Sequence, residues 1–257
     1  MRTSKNARKN LPARIPRIST RGYYDLVTGR TLKKKPYDLY PKKFFEKELG
    51  NHPEFTIVVH GMRNNKQGAL EKFKIVQKRL RQLGYKYPVI GFSYDSNVKG
   101  VQYKSCEHKA TKVARLIAKK NGLNLAKFIL NFKRKNPTMG IRLMGHSLGT
   151  EVITYALFCI YGKQKIDQVY FFGSSLPAGF LISQKFNKIV QKTIIKKIIN
   201  YYNPTDLILK SAYERNLIEK PAGCFSLKNS NNRKIVEKRV KPLNHRFMSY
   251  ITKLDSM

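Results

Sequence analysis

The sequence predicts an α/β fold, built as a doubly wound, mostly parallel sheet of about six or more strands with helices on both faces. Three observations lead to this prediction. Apolar runs typical of buried strands alternate along the chain with segments of helical periodicity. The 257 residues are 41% hydrophobic, which suffices for one large domain with a sizeable core. A tight turn at residues 145–149 joins one of these strands to a helix.

The first 22 residues are predicted to form a flexible basic arm, because they combine many charges with two prolines and no sustained apolar period. A single domain is expected at residues 23–257, with its core beginning near residue 50. Residues 23–50 are rich in Tyr and Lys, show no clear antiparallel hairpin, and are expected to pack loosely on that domain. No apolar segment follows the basic start, so a secretory signal is not expected.

Strands and helices alternate through the next hundred residues. A β-branched run at 55–61 predicts a strand buried on both faces. Apolar residues at helical spacing predict a helix at 69–83, and a second buried strand is predicted at 87–95. A long helical stretch at 110–132 follows, which the Asn-Gly pair at 121–122 is expected to interrupt.

The stretch IRLMGHSLGTEV gives the pattern G-x-S-x-G between a predicted strand at 141–144 and a predicted helix at 150–160. A strand, a tight turn and a helix in this order form a nucleophile elbow. The turn strains the backbone of Ser147, so Gly145 and Gly149 must be small, and it aims the hydroxyl out of the sheet. The alternative is an ordinary Gly/Ser turn.

Three further strands are predicted at 168–174, 194–202 and 235–240. Only about twenty residues, 175–193, separate the first two of these strands, so no large helical lid is expected there. Ligands of such sheets bind beyond the carboxyl ends of the strands. The polar segment 95–108 is therefore expected to flank the pocket.

A serine hydroxyl is a poor nucleophile unless a neighbouring base takes its proton. Of the five histidines, His245 alone lies beyond the motif, in a loop just after the last predicted strand. The order Ser147, then an acid, then His245 is one in which catalytic triads occur. The histidines that precede the motif or lie within it are His52, His60, His108 and His146.

The acid of such a triad would orient the imidazole and stabilise its protonated form. Asp206 is the candidate, because it directly follows the predicted strand at 194–202 in the sequence NPTD. The competing interpretation is that Asp206 caps a helix N-terminus. The other carboxylates between Ser147 and His245 are Glu151, Asp167, Glu214, Glu219 and Glu237, and Asp95 is an alternative outside that order.

An oxyanion hole needs two backbone N–H groups aimed at the developing charge. The candidates are Leu148, which follows the serine, and Met62, in the polar loop after the strand at 55–61. His60 is expected to be structural and hydrogen-bonded beneath the site. The residues expected to support the site are His60, Gly61, Gly145, His146 and Gly149.

The motifs HGM at 60–62, GHSLG at 145–149, NPTD at 203–206 and NHRF at 244–247 make the chain resemble the α/β-hydrolase superfamily. The resemblance covers about residues 50–257 and is to lipase- and esterase-like members. It implies a Ser-His-Asp triad, an oxyanion hole and an acyl-enzyme intermediate. The implied reaction is hydrolysis of an ester or related acyl bond, as in a carboxylesterase, lipase or thioesterase, without a cofactor or metal. The substrate would be a small-molecule or lipid acyl compound.

The chain carries 52 Lys and Arg against 15 Asp and Glu, a formal charge of +37. A small domain typically carries a net charge of about 2 to 8 in magnitude. Such a field attracts anionic membranes, nucleic acid or acidic substrates, while the alternative is a solvated, lysine-rich surface. No RNP, zinc-finger or helix-turn-helix signature accompanies the charge. Two functions therefore compete with hydrolysis: non-catalytic binding of anionic lipid or nucleic acid, and transfer of the acyl group to another acceptor.

The three cysteines, Cys106, Cys159 and Cys224, are isolated in sequence. Their spacing predicts no disulfide framework and no zinc site, and favours a reducing compartment. No apolar run reaches the ~18 residues of a membrane span. A cytoplasmic location is expected, and association with a membrane surface stays open.

Overall fold

The computed structural model describes residues 15–100, 102–227 and 232–256, which form an eight-stranded sheet flanked by helices. The strands are β1 Arg17–Ser19, β2 Asp38–Tyr40, β3 Glu54–Val59, β4 Val89–Ser93, β5 Gly140–His146, β6 Gln168–Phe172, β7 Ile198–Tyr202 and β8 Ile235–Arg239. The α-helices are α1 Lys66–Gln82, α2 Glu107–Lys135, α3 Leu148–Ile160, α4 Ala178–Leu181, α5 Gln184–Thr193, α6 Leu207–Glu214 and α7 Phe247–Ile251. A π-helical turn at Phe44–Glu48 and a 3-10 turn at Leu49–Asn51 precede β3.

The sheet is parallel except at one edge. Its strand order is β2-β1-β4-β3-β5-β6-β7-β8, and β1 pairs with β2 antiparallel. At its centre β3 and β5 run side by side, with Val59 opposite Gly145. The carboxyl ends of the parallel strands therefore share one edge, where ligands of such sheets bind. The predicted fold class is confirmed.

Helices cover both faces of the sheet, as a doubly wound fold requires. Side chains of α1 and α7 pack with Val58 on one face, and those of α2, α3 and α5 pack with Ile57 and Val59 on the other. This alternation along β3 reflects the two-residue period of a strand. The sheet is thus buried on both sides, which explains the continuous apolar runs of its central strands.

The first helix follows from local sequence. The Asn65 side chain accepts a hydrogen bond from the Gly68 N–H at 2.8 Å and caps α1. Gly84 has a φ of +80° just past its end, a conformation that favours glycine. The residues that α1 buries, Ala69, Phe73, Val76 and Leu80, recur at the predicted spacing.

The prediction of a flexible arm over 1–22 is wrong for residues 15–22. Arg17–Ser19 form β1, which lies between β4 and β2, and Ile18 is fully buried. The Arg21 side chain anchors the end of this strand by donating from Nε to Ser93 Oγ at 2.8 Å. Three residues are too few to show a strand period, and residues 1–14 of the expected arm lie outside the described residues.

The expectations that the core begins near residue 50 and that residues 23–50 pack loosely are also wrong. Tyr23 and Tyr24 are buried in the same apolar cluster as β3 and α2. Asp38–Tyr40 form the antiparallel strand β2 against β1. An antiparallel pair therefore does precede β3, although its short strands leave no clear pattern in the sequence.

The predicted interruption of the long helix at 121–122 is wrong, because α2 is continuous. Gly122 lies against α3 so closely that a Cβ atom there would be 2.4 Å from Tyr155 Cβ. Asn121 is buried, donates to the Ile117 carbonyl at 2.9 Å and accepts from Thr20 Oγ1 at 2.5 Å. This Asn-Gly pair serves helix packing and not a turn.

The segment between β6 and β7 contains no large lid. It holds α4 and α5, and α5 buries Phe186, Ile189 and Val190 in the core. The strand predicted at 194–202 begins at Ile198, where pairing with Val169 of β6 starts, and Lys196 and Lys197 before it are exposed.

Candidate active site

Ser147 lies in a strained turn between β5 and α3. Its φ of 51° and ψ of −124° are unusual for a residue with a side chain. The Ser147 N–H donates to the Phe172 carbonyl at 3.0 Å, and its carbonyl accepts from the Thr150 N–H at 3.0 Å. These bonds fix the turn at the carboxyl edge of the sheet, where the half-buried serine is open to solvent.

Glycines surround this turn because there is no room for side chains. A Cβ atom at Gly149 would lie 2.5 Å from the Val59 carbonyl oxygen. One at Gly145 would lie 2.8 Å from Ile153 Cδ1, and one at Gly61 would lie 2.9 Å from Ser147 Cβ. The small residues predicted at the elbow therefore allow α3 and the loop after β3 to approach the serine.

Ser147, His245 and Asp206 form one hydrogen-bonded chain. The Ser147 hydroxyl donates to His245 Nε2 at 3.0 Å, and His245 Nδ1–H donates to Asp206 Oδ2 at 2.7 Å. The Asp206 side chain is fully buried, whereas 13% of the His245 side chain is exposed. Neighbouring parallel strands β7 and β8 bring these two residues to the edge where Ser147 lies.

Asp206 is held by three donors. Besides His245, its Oδ2 accepts from the Tyr250 hydroxyl at 2.6 Å, and its Oδ1 accepts from the Leu209 N–H at 3.1 Å. Burial raises the pKa of this carboxyl, but the three hydrogen bonds and the nearby imidazole together hold that pKa below its usual value. Asp206 therefore caps α6 through Oδ1 and faces His245 through Oδ2, so its role as a helix cap does not prevent contact with the imidazole.

The sequence analysis did not predict that Tyr250 contacts the site. Its place on the buried face of α7 follows from apolar spacing, since Phe247 and Ile251 are buried beside it. The acceptor for its hydroxyl is set by the contact of α7 with the start of α6, which the sequence does not reveal.

His146 holds the backbone of His245 in place. Its Nε2–H donates to the His245 carbonyl at 2.7 Å, and its ring stacks on Phe247 with centroids 5.0 Å apart. Burial and the neighbouring His245 lower the pKa of His146 well below the usual value, so its imidazole is neutral at pH 7.

His60 lies beneath the site. Its Nδ1–H donates to the Gly61 carbonyl at 2.9 Å and its Nε2 accepts from the Tyr94 N–H at 3.3 Å. Burial lowers the pKa of His60 to about 3. This neutral side chain ties the end of β3 to the end of β4.

The backbone N–H groups predicted to face an oxyanion belong to Leu148 and Met62. Leu148 is the first residue of α3, where helix N–H groups lack partners within the helix. Met62 follows Gly61, whose backbone lies against Ser147. Asn64, which sequence analysis missed, fixes this loop by donating from Nδ2 to the carbonyls of Met62 at 2.8 Å and Gly61 at 3.0 Å.

Five of the six other candidate carboxylates have partners elsewhere. Glu151 accepts from Arg115 Nε at 3.1 Å and Ser175 Oγ at 3.0 Å. Asp167 accepts from the Ile141 N–H at 2.7 Å, and Asp95 accepts from Arg21 at 3.3 Å. Glu237 accepts from Ser226 Oγ at 2.8 Å, and Glu214 pairs with Lys210 at 3.9 Å. Among the described residues, Asp206 is the carboxylate that meets His245.

Across residues 15–100, 102–227 and 232–256, no group of three or more His, Cys, Asp or Glu side chains is arranged to hold a metal ion. Within these same ranges, none of the helices has both the length and the apolar character needed to cross a membrane.

The family described as "Protein of unknown function (DUF726)" matches residues 101–257, which is more than half of the chain. The chain belongs to the DUF726 family. That match includes Ser147, Asp206 and His245. None of the curated proteins compared with this DUF726 chain matches it in sequence.

Solved structures of α/β hydrolases are similar to this DUF726 chain. An α/β serine hydrolase without a lid from Xanthomonas campestris is 14% identical, with 80% of this chain and 79% of that chain covered, at a TM-score of 0.45. A lipase-esterase related protein from Clostridium acetobutylicum is 14% identical over 79% and 91% of the two chains, at 0.41. The catalytic core domain of an acetyl xylan esterase from Trichoderma reesei is 12% identical over 73% and 82%, at 0.36. At these values the likeness is limited to the fold.

Proposed function

We propose that this protein is a serine hydrolase that cleaves an ester or related acyl bond through an acyl-enzyme intermediate. The observation that carries the proposal is the chain from Ser147 Oγ to His245 at 3.0 Å and from His245 to Asp206 at 2.7 Å. A nucleophile, a base and an orienting acid in this geometry are the parts that acyl transfer needs.

In the first half of the reaction, Ser147 Oγ attacks the acyl carbonyl carbon while its proton passes to His245 Nε2. The resulting tetrahedral intermediate collapses, the bond to the leaving alcohol breaks, and His245 returns the proton to the alcohol oxygen. Asp206 keeps the imidazole in the correct tautomer and stabilises its protonated form.

In the second half, water replaces the alcohol. His245 takes a proton from the water, the hydroxide attacks the acyl carbon, and the bond to Ser147 Oγ breaks as His245 reprotonates that oxygen. In both halves we assign the negative oxygen to the backbone N–H groups of Leu148 and Met62. Removal of one oxyanion donor typically costs about 10²–10³ in kcat.

Hydrolysis of a short p-nitrophenyl ester tests this proposal. Ser147→Ala should lower turnover by about 10⁴-fold or more. Ser105→Ala, which changes an exposed serine of the loop before α2, should leave turnover unchanged. Equal hydrolysis by wild type and Ser147→Ala would show that this site is not the catalyst and would reject the proposal.

The acceptor and the compartment are also proposals. We propose water as the acceptor, and product analysis with added alcohols would detect acyl transfer instead. We propose a reducing, cytoplasmic setting, which the three unpaired cysteines support. Recovery of a disulfide-linked form from cells would contradict it.

A further inference from the structure

Four exposed apolar side chains lie beside the candidate triad. Among the described residues, the three most exposed large hydrophobic side chains are Leu243 at 92%, Leu207 at 76% and Ile208 at 61%. Met248 is also exposed, at 50%. We call Leu207, Ile208, Leu243 and Met248 the apolar rim.

The apolar rim is built on the two segments that carry Asp206 and His245. Leu207 and Ile208 directly follow Asp206, and Leu243 and Met248 flank His245 within three residues. Since His245 Nδ1 lies 2.7 Å from Asp206 Oδ2, the two segments meet, and both leave the sheet at its carboxyl edge. The apolar rim therefore borders the entrance to Ser147.

Exposure of these four apolar side chains to water is unfavourable. A single exposed leucine is ordinary on a protein surface, but a contiguous apolar patch marks an interaction site. In the described part of the chain, no element covers the rim, since each of its four side chains is at least 50% exposed.

Positive charge surrounds the apolar rim. Within residues 203–210 and 239–248 the one acidic side chain is the buried Asp206. The exposed cations of these segments are Lys210, Arg239, Lys241 and Arg246, of which Lys210 lies 3.9 Å from Glu214. Apolar side chains surrounded by basic ones match the interface of a bilayer that contains anionic lipid, where nearby Lys and Arg side chains are attracted to the negative surface.

We infer that the apolar rim docks this protein on anionic membranes, with rim side chains inserted among the lipid headgroups and the entrance to Ser147 facing the bilayer. Docking itself is independent of the proposed hydrolysis. The consequence that the acyl substrate is a membrane lipid rests on that proposed function.

Flotation with lipid vesicles tests docking without any need for turnover. The full chain carrying Ser147→Ala should float with vesicles of phosphatidylcholine containing about 30% phosphatidylserine, and only weakly with pure phosphatidylcholine. The double variant Leu207→Ser/Leu243→Ser should bind the anionic vesicles at least tenfold more weakly, because two apolar side chains no longer leave water. The matched control Leu32→Ser/Ile195→Ser removes two side chains that are each 52% exposed and lie away from the rim, and it should bind as the parent does.

A fluorescence measurement adds a second readout, because the chain contains no tryptophan. Leu243→Trp should show a blue-shifted emission on anionic vesicles, whereas Leu32→Trp should not. Matching thermal unfolding midpoints for all variants exclude unfolding as the cause.

Three outcomes would overturn docking through the rim: equal binding by the two double variants, an unshifted Leu243→Trp emission, or a preference for nucleic acid over vesicles at the same salt. Vesicle binding that depends on the rim, together with an unreactive Ser147 in the otherwise wild-type chain, would retain docking and reject the hydrolase.

Discussion

At the residue scale, Asp206 connects stability to the candidate chemistry. Its carboxylate accepts from His245, from Tyr250 and from the backbone of α6, so the hydrogen bonds that hold the imidazole also hold the helix. Because these bonds lower the pKa of Asp206, its ionised form stabilises the fold at a pH above the unfolded pKa of about 3.9. That contribution is lost as the pH falls through the lower pKa of the folded state.

Tyr250→Phe should remove one donor from this buried charge. We expect the free energy of unfolding at pH 7 to fall by about 1.5–3 kcal/mol, the typical value of a hydrogen bond to a charged group. The difference from wild type should persist at pH 5 and shrink only below about pH 4, where the carboxyl protonates first in the unfolded chain and at lower pH in the folded protein. Denaturant unfolding across this pH range measures it.

The control is Tyr213→Phe, which removes a hydroxyl from an exposed tyrosine of α6 and should change stability by less than about 0.5 kcal/mol. Equal effects of the two variants at pH 7 would mean that the Tyr250 hydroxyl does not stabilise Asp206.

The sequence was sufficient to single out Ser147, Asp206 and His245 as candidates, because each lies within about six residues of the carboxyl end of a strand of a parallel sheet and such ends converge. It could not identify Tyr250 or Asn64. The acceptors of these side chains come from other loops and helices, and no local period records such pairings.

At the element scale, the contact between α2 and α3 sets the position of the elbow helix. Helix propensity alone predicts that Gly122→Ala would stabilise α2 by about 1 kcal/mol. The structure predicts the opposite, because the added Cβ would meet Tyr155 Cβ at 2.4 Å and the Val152 carbonyl oxygen at 2.8 Å. We expect the free energy of unfolding to fall by about 1–3 kcal/mol.

Gly179→Ala in α4 is the control for this substitution, since its Cβ would meet nothing within 4 Å. Thermal unfolding should give a lower midpoint for Gly122→Ala and an unchanged or higher one for Gly179→Ala. A higher midpoint for Gly122→Ala would show that α2 and α3 are not in close contact there.

The short strand β1 is the element that sequence analysis assigned to a flexible arm. If Arg17–Ser19 are part of the sheet, Ile18→Ala should cost about 2–5 kcal/mol, as for other fully buried aliphatic side chains. Val27→Ala, at a position 45% exposed, should change stability by no more than about 0.5 kcal/mol. Similar urea midpoints for both variants would support the flexible arm and contradict a strand at Arg17–Ser19.

The long elements were predictable and the short ones were not. The buried runs that became β3 and β5 and the apolar stripe of α1 have periods that a sequence displays over many residues. By contrast, β1 and β2 span three residues each, and the Asn-Gly pair of α2 resembles a turn although it serves a helix contact. The conformation of these segments is set by their tertiary contacts and not by local sequence.

At the scale of the whole molecule, the net charge of +37 opposes compaction by self-repulsion. Added salt screens that repulsion, with a Debye length of about 10 Å at 0.1 M. Urea unfolding at ~20 and ~200 mM NaCl should therefore give a higher midpoint at the higher salt. Turnover of a small neutral ester should change little over the same range, and a fall in the unfolding midpoint would contradict the expected self-repulsion.

The central claim is that Ser147 is an activated nucleophile, and labelling with a fluorophosphonate probe tests it most directly because no substrate need be known. Peptide mapping by mass spectrometry should find one adduct, on Ser147, that is absent in Ser147→Ala and forms far more slowly in His245→Ala. Failure of the folded wild-type protein to react, or an adduct on any other residue, would contradict the claim.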